Sequence, residues 1–299
     1  MFSIFPQYGR LIVALGLILG LSFVFFRLLR PLLAQVPWLQ ARLGINSILS
    51  LVLGLAFSVS TLLALAYLYV YYGFDHQPDI YRHGPRDLPI VALTFDDGPS
   101  PEFTPPILDI LREYGVPATF FMVGSHVEKY PEIAQRIVDE GHEIGNHTLN
   151  HRNVPTLSTL DLHEEVVGAT TIITEVTGEY PTYIRPPRGF YDGRFRRLAA
   201  VLGQQTVLWT ISSRDWRYGT TADAIVKNVM GRVRNGDIIL FHDSGALVKN
   251  EGGDRSATVK ALPIIIERLQ ARGLQIVPLR VLLYGEEPQE KFPSVDMQE

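Results

Sequence analysis

From Leu88 onward, short apolar runs alternate with longer segments whose apolar residues recur at helical spacing. The apolar runs predict seven strands, at residues 89–95, 117–123, 142–146, 182–186, 205–211, 237–242 and 274–279. Six helices are predicted between them, near residues 104–114, 131–140, 158–177, 192–202, 221–234 and 256–272. Because strands that alternate with helices form parallel sheets, the sequence predicts one parallel α/β domain. Both a barrel and an open sheet fit this pattern.

The first 72 residues are different in composition, with four arginines and no acidic residue. Two long segments, 11–26 and 45–72, are almost entirely apolar. A helix that spans a bilayer needs ~20 mostly apolar residues. The sequence therefore predicts a membrane anchor of two transmembrane helices, at about residues 10–30 and 46–71. A signal peptide is the alternative interpretation of the first segment.

The arginines predict the orientation of this anchor. Arg27, Arg30 and Arg42 all lie in the link between the two apolar segments. Because positively charged links stay in the cytoplasm, both ends of the anchor are predicted to lie outside it. The rest of the chain is predicted to be a linker at 73–87, a catalytic domain at 88–285 and a polar tail at 286–299.

Charge and cysteine content exclude several kinds of site. The chain has no cysteine, which excludes disulfides and thiolate metal ligands. Its net charge is −4, and after the four arginines of residues 1–72 the remainder holds 23 basic and 31 acidic residues. An acidic domain without a basic run argues against a nucleic-acid partner. For the predicted anchor, membrane lipid is the expected partner.

Two adjacent carboxylates, Asp96 and Asp97, end the first predicted strand and are followed by Gly98 and Pro99. In a parallel α/β domain, sites form at the carboxyl ends of strands. Two like charges this close need a cation or a raised pKa in one of them. The sequence therefore indicates a metal site, although a turn in which Asp is a local hydrogen-bond acceptor is the alternative.

Other candidate residues follow other predicted strands. His147 and His151 are four residues apart, so both rings can face one point. Two His and one Asp have the ligand count of a hydrolytic metal centre with open positions, and the second Asp would then be free to act as a base. His242 could then act as an acid and Arg185 could pair with a carboxylate, although an arginine is more often part of a surface ion pair.

Five segments follow one another along the chain: TFDDGP (94–99), HTLNH (147–151), RPPRG (185–189), SSRDW (212–216) and LFH (240–242). They resemble the five motifs of the polysaccharide deacetylases, which are carbohydrate esterase family four with its NodB-homology domain. The resemblance covers roughly residues 88–283 and does not extend to the apolar segments. It implies a distorted (β/α) barrel of about seven parallel strands that hydrolyses N-acetyl groups on sugars with the help of a metal.

The resemblance also implies roles for residues around the metal. Asp96 would be the general base and Arg185 would orient it. Asp97, His147 and His151 would bind the metal. Zn²⁺ is the ion expected first, and Co²⁺, Mn²⁺ and Ni²⁺ also accept these ligands.

The remaining roles that it implies belong to the acid and the pocket. His242 would be the general acid, tuned by Asp215. Trp216 and Leu240 would border the pocket for the acetyl methyl group, and the backbone beside Arg188 would contact the oxyanion. The family usually has an aromatic residue at the position of Arg188, which changes the wall of the cleft.

The sequence thus predicts a deacetylase of envelope glycans that contain N-acetylglucosamine, with its catalytic domain on the extracytoplasmic side of the membrane. Peptidoglycan is the expected substrate because the anchor would hold the domain near the cell wall. A deacetylase or deformylase of a lipid-linked sugar or of an exopolysaccharide is one alternative. An inactive glycan-binding domain is another. The family's fourth motif often begins with an acid where Ser212 stands, which leaves open the hydrogen bonding of the pocket.

Overall fold

The computed structural model describes residues 52, 54–63, 65, 79–245 and 253–285. The chain divides into two units, with the boundary between residues 74 and 75. In the first unit, residues 54–63 are helical. The predicted first transmembrane helix and the predicted polar tail lie outside the described residues. The second predicted span is described only in part, and no helix among the described residues is both long and apolar enough to cross a membrane.

The second unit is built on parallel strands, and this confirms the predicted α/β class. Its strands are β1 (Ile80–Tyr81), β2 (Ile90–Asp96), β3 (Thr119–Met122), β4 (Glu143–Asn146), β5 (Tyr183–Ile184), β6 (Gln205–Val207), β7 (Ile211–Ser212), β8 (Ile238–His242) and β9 (Gln275–Ile276). They pair in the order β1-β6-β5-β4-β3-β2-β8-β7, and β9 also pairs with β2. All of these pairs are parallel, so the carboxyl ends of the strands share one edge.

Helices connect the strands and cover the outside of the sheet. They are α1 (Thr104–Tyr114), α2 (Gly124–Lys129), α3 (Pro131–Asp139), α4 (Thr159–Thr177), α5 (Gly193–Val201), α6 (Ala222–Met230), α7 (Ser256–Ala271) and α8 (Leu279–Tyr284). Local chemistry sets their ends: for example, the side chain of Ser158 accepts a hydrogen bond from Asp161 N at the start of α4. Gly178, with φ 72°, ends the same helix in the left-handed conformation.

One chain segment, 205–212, explains how the sheet curves into a partly closed barrel. The sequence predicts a single strand at 205–211, but two strands form there, β6 and β7. β6 pairs with β5 at one end of the sheet, whereas β7 pairs with β8 at the other end. Residues 205–212 thus connect the two ends of the row of strands β5-β4-β3-β2-β8, which brings these ends toward each other. The described residues contain nine short strands, where about seven were predicted.

Several elements differ from the prediction. β1 lies at residues 80–81, within the segment predicted as a linker, and pairs with β6. Helix α2 was not predicted, and the predicted strand 274–279 consists of β9 followed directly by α8. These elements have two to six residues, which is too short for a hydrophobic period to appear in the sequence.

The core holds β2 rigidly at the centre of the sheet. Every residue of β2 is buried. The ring of Phe95 stacks on Phe120 of β3 at 5.1 Å and on Phe241 of β8 at 5.5 Å, measured between ring centroids. Burying one such ring contributes roughly 1.5–3 kcal/mol. The end of β2, where Asp96 lies, is therefore a well-supported platform.

Candidate active site

The chain turns sharply where β2 ends. Asp96 is the last residue of the strand, and Asp97 has a φ of 80°, a left-handed conformation that is uncommon for a residue with a side chain. Four other non-glycine residues of the described chain share a positive φ: Thr148, His151, Arg188 and Arg214. All five follow the carboxyl ends of strands, and residues held in such conformations are concentrated at functional sites.

This turn brings one carboxylate next to the two histidines of the HTLNH segment. Asp97, His147 and His151 are buried and offer ligand atoms that lie within 4.8 Å of one another. Asp97 Oδ1 is 3.4 Å from His147 Nε2 and 3.3 Å from His151 Nε2. The structure therefore brings together the three residues that the resemblance implies as metal ligands.

The donor set fits a divalent cation. Asp97 Oδ1 is buried and has no hydrogen-bond partner among the described residues, as expected for an atom that binds an ion instead. His147 Nδ1 donates to the carbonyl oxygen of Arg185 at 2.8 Å, which leaves the Nε2 lone pair facing Asp97. One carboxylate and two imidazoles suit Zn²⁺ and related transition metals.

The protonation states of Asp97 and His151 also suit a bound cation. Burial opposes ionisation of Asp97, but the nearby imidazole of His147 and the positive charge of His242 hold its pKa below the ordinary value. Burial lowers the pKa of His151 to about 4, so its ring is neutral at pH 7. For His147 the nearby charges of Asp96 and Asp97 outweigh burial and raise the pKa, so a proton would compete with a metal there as the pH falls.

The second carboxylate, Asp96, is held by a buried arginine. Arg185 has no exposed surface, and its Nη1 donates to Asp96 Oδ1 at 2.6 Å. Its other nitrogens donate to the carbonyl oxygens of Val207 at 2.9 Å and Leu208 at 3.0 Å, and its guanidinium lies 3.9 Å from the ring centroid of Phe121. Burial lowers the pKa of Arg185, and the charge of Asp96 opposes this. Breaking a buried pair of this kind costs about 3–5 kcal/mol.

Across the cleft, His242 at the end of β8 is paired with a second buried acid. His242 Nδ1 donates to Asp215 Oδ1 at 2.7 Å. Asp215 Oδ2 accepts from the backbone N–H of His242 at 2.8 Å and from Thr258 Oγ1 at 2.9 Å. Although burial opposes the charged ring, Asp215 raises the pKa of His242 to about 9. His242 therefore carries a proton at neutral pH.

The three residues predicted to line the pocket lie in different environments. Leu240 is a buried residue of β8, beside Ser212 of β7. Trp216 keeps 38% of its surface exposed, and the guanidinium of Arg217 lies 5.4 Å from its ring centroid. Arg188 is exposed at the end of β5, with φ 60°, and its charge reaches His151.

Comparison with known proteins identifies the family. Residues 83–207 match the polysaccharide deacetylase family. A peptidoglycan-N-acetylglucosamine deacetylase of Bacillus cereus is 38% identical over 201 residues, which cover 67% of this chain and 90% of that protein. This chain belongs to the polysaccharide deacetylase family.

Two further relatives support this assignment. A chitooligosaccharide deacetylase of Bradyrhizobium sp. is 38% identical over 195 residues, covering 63% of this chain and 88% of that protein. The crystal structure of a peptidoglycan N-acetylglucosamine deacetylase matches with a TM-score of 0.65 at 36% identity, covering 71% of this chain and 95% of the other. The deacetylase fold predicted for the second unit is thus that of the family.

Sequence reasoning missed several side chains that support the deacetylase site. His126 lies outside the five segments, and its Nδ1 donates to the carbonyl oxygen of Asp97 at 2.8 Å. Thr258 contacts Asp215 from α7. Asp243 is buried directly after His242, and burial raises its pKa to about 7. The only signal of Asp243 in the sequence is its position next to the LFH segment.

Proposed function

We propose that this polysaccharide deacetylase removes N-acetyl groups from N-acetylglucosamine units of envelope glycan, with peptidoglycan as its substrate. The observation that carries the proposal is the buried Asp97–His147–His151 group beside Asp96, which Arg185 holds in place. A metal-binding group next to a second, separately held carboxylate suits metal-assisted hydrolysis of an amide. The names of the relatives support a glycan substrate of this class.

We assign the metal to Asp97, His147 and His151. When bound, a divalent ion such as Zn²⁺ supplies polarisation of the amide carbonyl and lowers the pKa of water toward ~7. Three protein ligands leave positions open for water and substrate, as in other catalytic zinc sites. The buried surroundings of the three residues strengthen these electrostatic effects, since water screens them less there.

Asp96 acts as the general base in this proposal. Its Oδ1 is occupied by Arg185, whereas its Oδ2 lies 3.7 Å from His147 Nε2, on the side of the metal ligands. The pairing with Arg185 fixes the direction of the Asp96 carboxylate. Asp96 can then take the proton of the attacking water in a defined geometry.

His242 acts as the general acid. Because its pKa is raised to about 9 by Asp215, the ring holds a proton over the neutral pH range. Nδ1 is committed to Asp215, so Nε2 carries the proton that is given to the leaving amine. The base and acid come from different strands, β2 and β8, which pair directly at Asp96 and His242.

The proposal is tested by incubating the full chain with Zn²⁺ and three glycans: peptidoglycan, chito-oligomers and a lipid-linked N-acetylated sugar. Mass spectrometry measures the loss of acetyl groups. We expect the largest loss on peptidoglycan. Preferred loss of acetyl or formyl groups from the lipid-linked sugar would favour that substrate class, and glycan binding without any loss would indicate an inactive binding domain.

Arg188 supports peptidoglycan over neutral chitin-like chains. It is exposed beside His151 and has no ion-pair partner among the described residues. The stem peptides of peptidoglycan carry carboxylates, which a guanidinium binds well. A free arginine at the rim of an acidic domain therefore favours an anionic substrate.

Arg188→Tyr is expected to reduce kcat/KM on peptidoglycan fragments by up to ~5-fold, since an ion pair at an exposed site contributes up to about 1 kcal/mol. The effect on neutral chito-oligomers should be smaller. Arg232→Tyr is a matched control, because Arg232 is also exposed but follows α6 at the opposite edge of the sheet. Equal losses on both substrates would leave Arg188 with a packing role only.

We propose further that the chain is anchored in the membrane, with the catalytic unit on the extracytoplasmic side. The support is the three-arginine link between two apolar segments. A cysteine at position 77 of the cysteine-free chain is expected to react with an impermeant thiol reagent in intact cells. A cysteine placed at position 36, within the arginine-containing link, should react only after lysis. The reverse labelling pattern would contradict this orientation.

A further inference from the structure

Asp243 is a buried carboxylate that the mechanism above does not use. It follows His242 directly after β8, and only 1% of its surface is exposed. Its backbone N–H donates to the carbonyl oxygen of Asp96 at 3.1 Å, which continues the β2–β8 pairing by one residue. Asp243 therefore lies against the turn that follows β2.

Two hydrogen bonds tie Asp243 to this turn and to the start of α1, and a third joins the turn to the helix. Thr104 Oγ1 donates to Asp243 Oδ2 at 2.6 Å. Ser100 Oγ donates to the carbonyl oxygen of Asp243 at 2.6 Å, and Ser100 N donates to Thr104 Oγ1 at 2.8 Å. The side chain and the backbone of Asp243 are thus both used to fix residues 98–104.

The carboxylate of Asp243 packs directly on Gly98. A Cβ atom built on Gly98 would lie 2.0 Å from Asp243 Oδ2, so only glycine fits there. The other side of the turn is also held, because Val123 N donates to the carbonyl oxygen of Gly98 at 2.9 Å. His126 Nδ1 binds the preceding carbonyl oxygen, that of Asp97, at 2.8 Å. The peptide that follows Asp97 is therefore clamped between Asp243 and the start of α2.

Asp97 needs such a clamp. Its φ of 80° is a conformation that persists only where the surrounding structure enforces it. Asp243 Oδ1 is buried and has no hydrogen-bond partner among the described residues, and leaving such an oxygen unpaired costs free energy. A buried carboxylate with an unpaired oxygen is expected where the position of the group matters more than its contribution to stability.

We propose that Asp243 is a positioning residue, which holds the Gly98 turn and thereby places the Asp97 carboxylate at its distance from His147 and His151. The inference rests on the proposed function only in taking Asp97 as a metal ligand. It predicts that loss of the Asp243 carboxylate weakens metal binding, although Asp243 itself does not contact the metal.

The test is the affinity of the full chain for Zn²⁺, measured by competition with a chelator. Asp243→Ala is expected to weaken it by ~10-fold or more, the scale found for residues that orient metal ligands. Asp243→Asn should restore most of the affinity, because the amide oxygen can still accept from Thr104. If the alanine variant does not fold, Thr104→Val removes the bond to the carboxylate with little change of shape and should also weaken zinc binding, whereas Thr104→Ser should not.

Asp237→Ala is the matched control. Asp237 is a buried acid at the other end of β8, 2% exposed, and it accepts a hydrogen bond from Thr210 Oγ1 at 2.8 Å. Its loss should lower the Tm without changing zinc affinity. Unchanged zinc affinity in Asp243→Ala, or in Thr104→Val if the first variant does not fold, would overturn the inference. Failure of the proposed function is a separate result, in which the wild-type chain binds zinc but releases no acetate.

Discussion

Asp96→Asn is expected to keep its metal and to lose ~10²–10⁴-fold in turnover, the range in which a positioned proton-transfer group contributes. Asparagine has the size of aspartate and can still contact Arg185 through its amide oxygen, but it cannot take a proton from water. Added metal should not restore activity, because no ligand has been lost. Metal content by atomic spectroscopy, measured beside turnover, gives both results from one sample.

Asp97→Asn, in contrast, should bind its metal more weakly. The amide oxygen is a neutral ligand, so the affinity for a divalent cation should fall, and excess metal should restore part of the activity. The substitution also removes the charge that Asp97 presents to His147 and His151, both within 3.4 Å of its Oδ1. Equal loss of metal in both variants, or full activity in Asp96→Asn, would show that the two carboxylates have been assigned the wrong way round.

His242→Ala is expected to retain its metal and to lose ~10²-fold or more in turnover, since the leaving amine no longer receives a proton from a positioned acid. His242 lies outside the Asp97–His147–His151 group, so the stoichiometry of bound zinc should not change. Loss of zinc from this variant would make His242 a ligand. His163→Ala on α4 is a suitable control for replacing a histidine, and it should keep both metal and turnover.

The pH profile tests the link between His242 and Asp215. The protonated ring is the active form of an acid, so activity should be present below the pKa of His242 and fall as the pH rises through about 9. A bound dication repels the proton on His242, so this alkaline limb of the pH profile, where activity falls, moves to lower pH. Asp215→Asn removes the partner that raises the pKa, so the limb should shift further, toward the ordinary histidine value of ~6.5. An alkaline limb that does not move would mean that another group sets it.

Much of the fold could be predicted because its strands and helices have clear local periods. The predicted strand at 89–95 is β2 (90–96), and the predicted helix at 158–177 is α4 (159–177), which starts after a capping Ser158 and ends before Gly178. The elements that were missed, β1, α2 and α8, are too short to show a period. Their conformation depends on pairing with strands that are distant in sequence, such as β6 for β1.

The candidate site, too, could be predicted only in part. Alternation of strands and helices, together with the order of the five segments, placed the carboxylates and histidines at one edge of the sheet. The sequence does not reveal the supporting contacts, because their partners are far apart along the chain. Thr258 binds Asp215 across 43 residues, and Arg185 binds Asp96 across 89.

By itself, therefore, the sequence determined which chemical groups are present and in what order. It also determined the parallel α/β class, in which the carboxyl ends of the strands share one edge, because this class follows from local periods and residue types. Only the tertiary structure decided which oxygen faces which nitrogen. The left-handed turn at Asp97, the clamp of Asp243 on Gly98 and the division of residues 205–212 between β6 and β7, which pair with different strands, all arise from long-range packing. Such contacts are set by the free energy of the whole fold, so no short stretch of sequence encodes them.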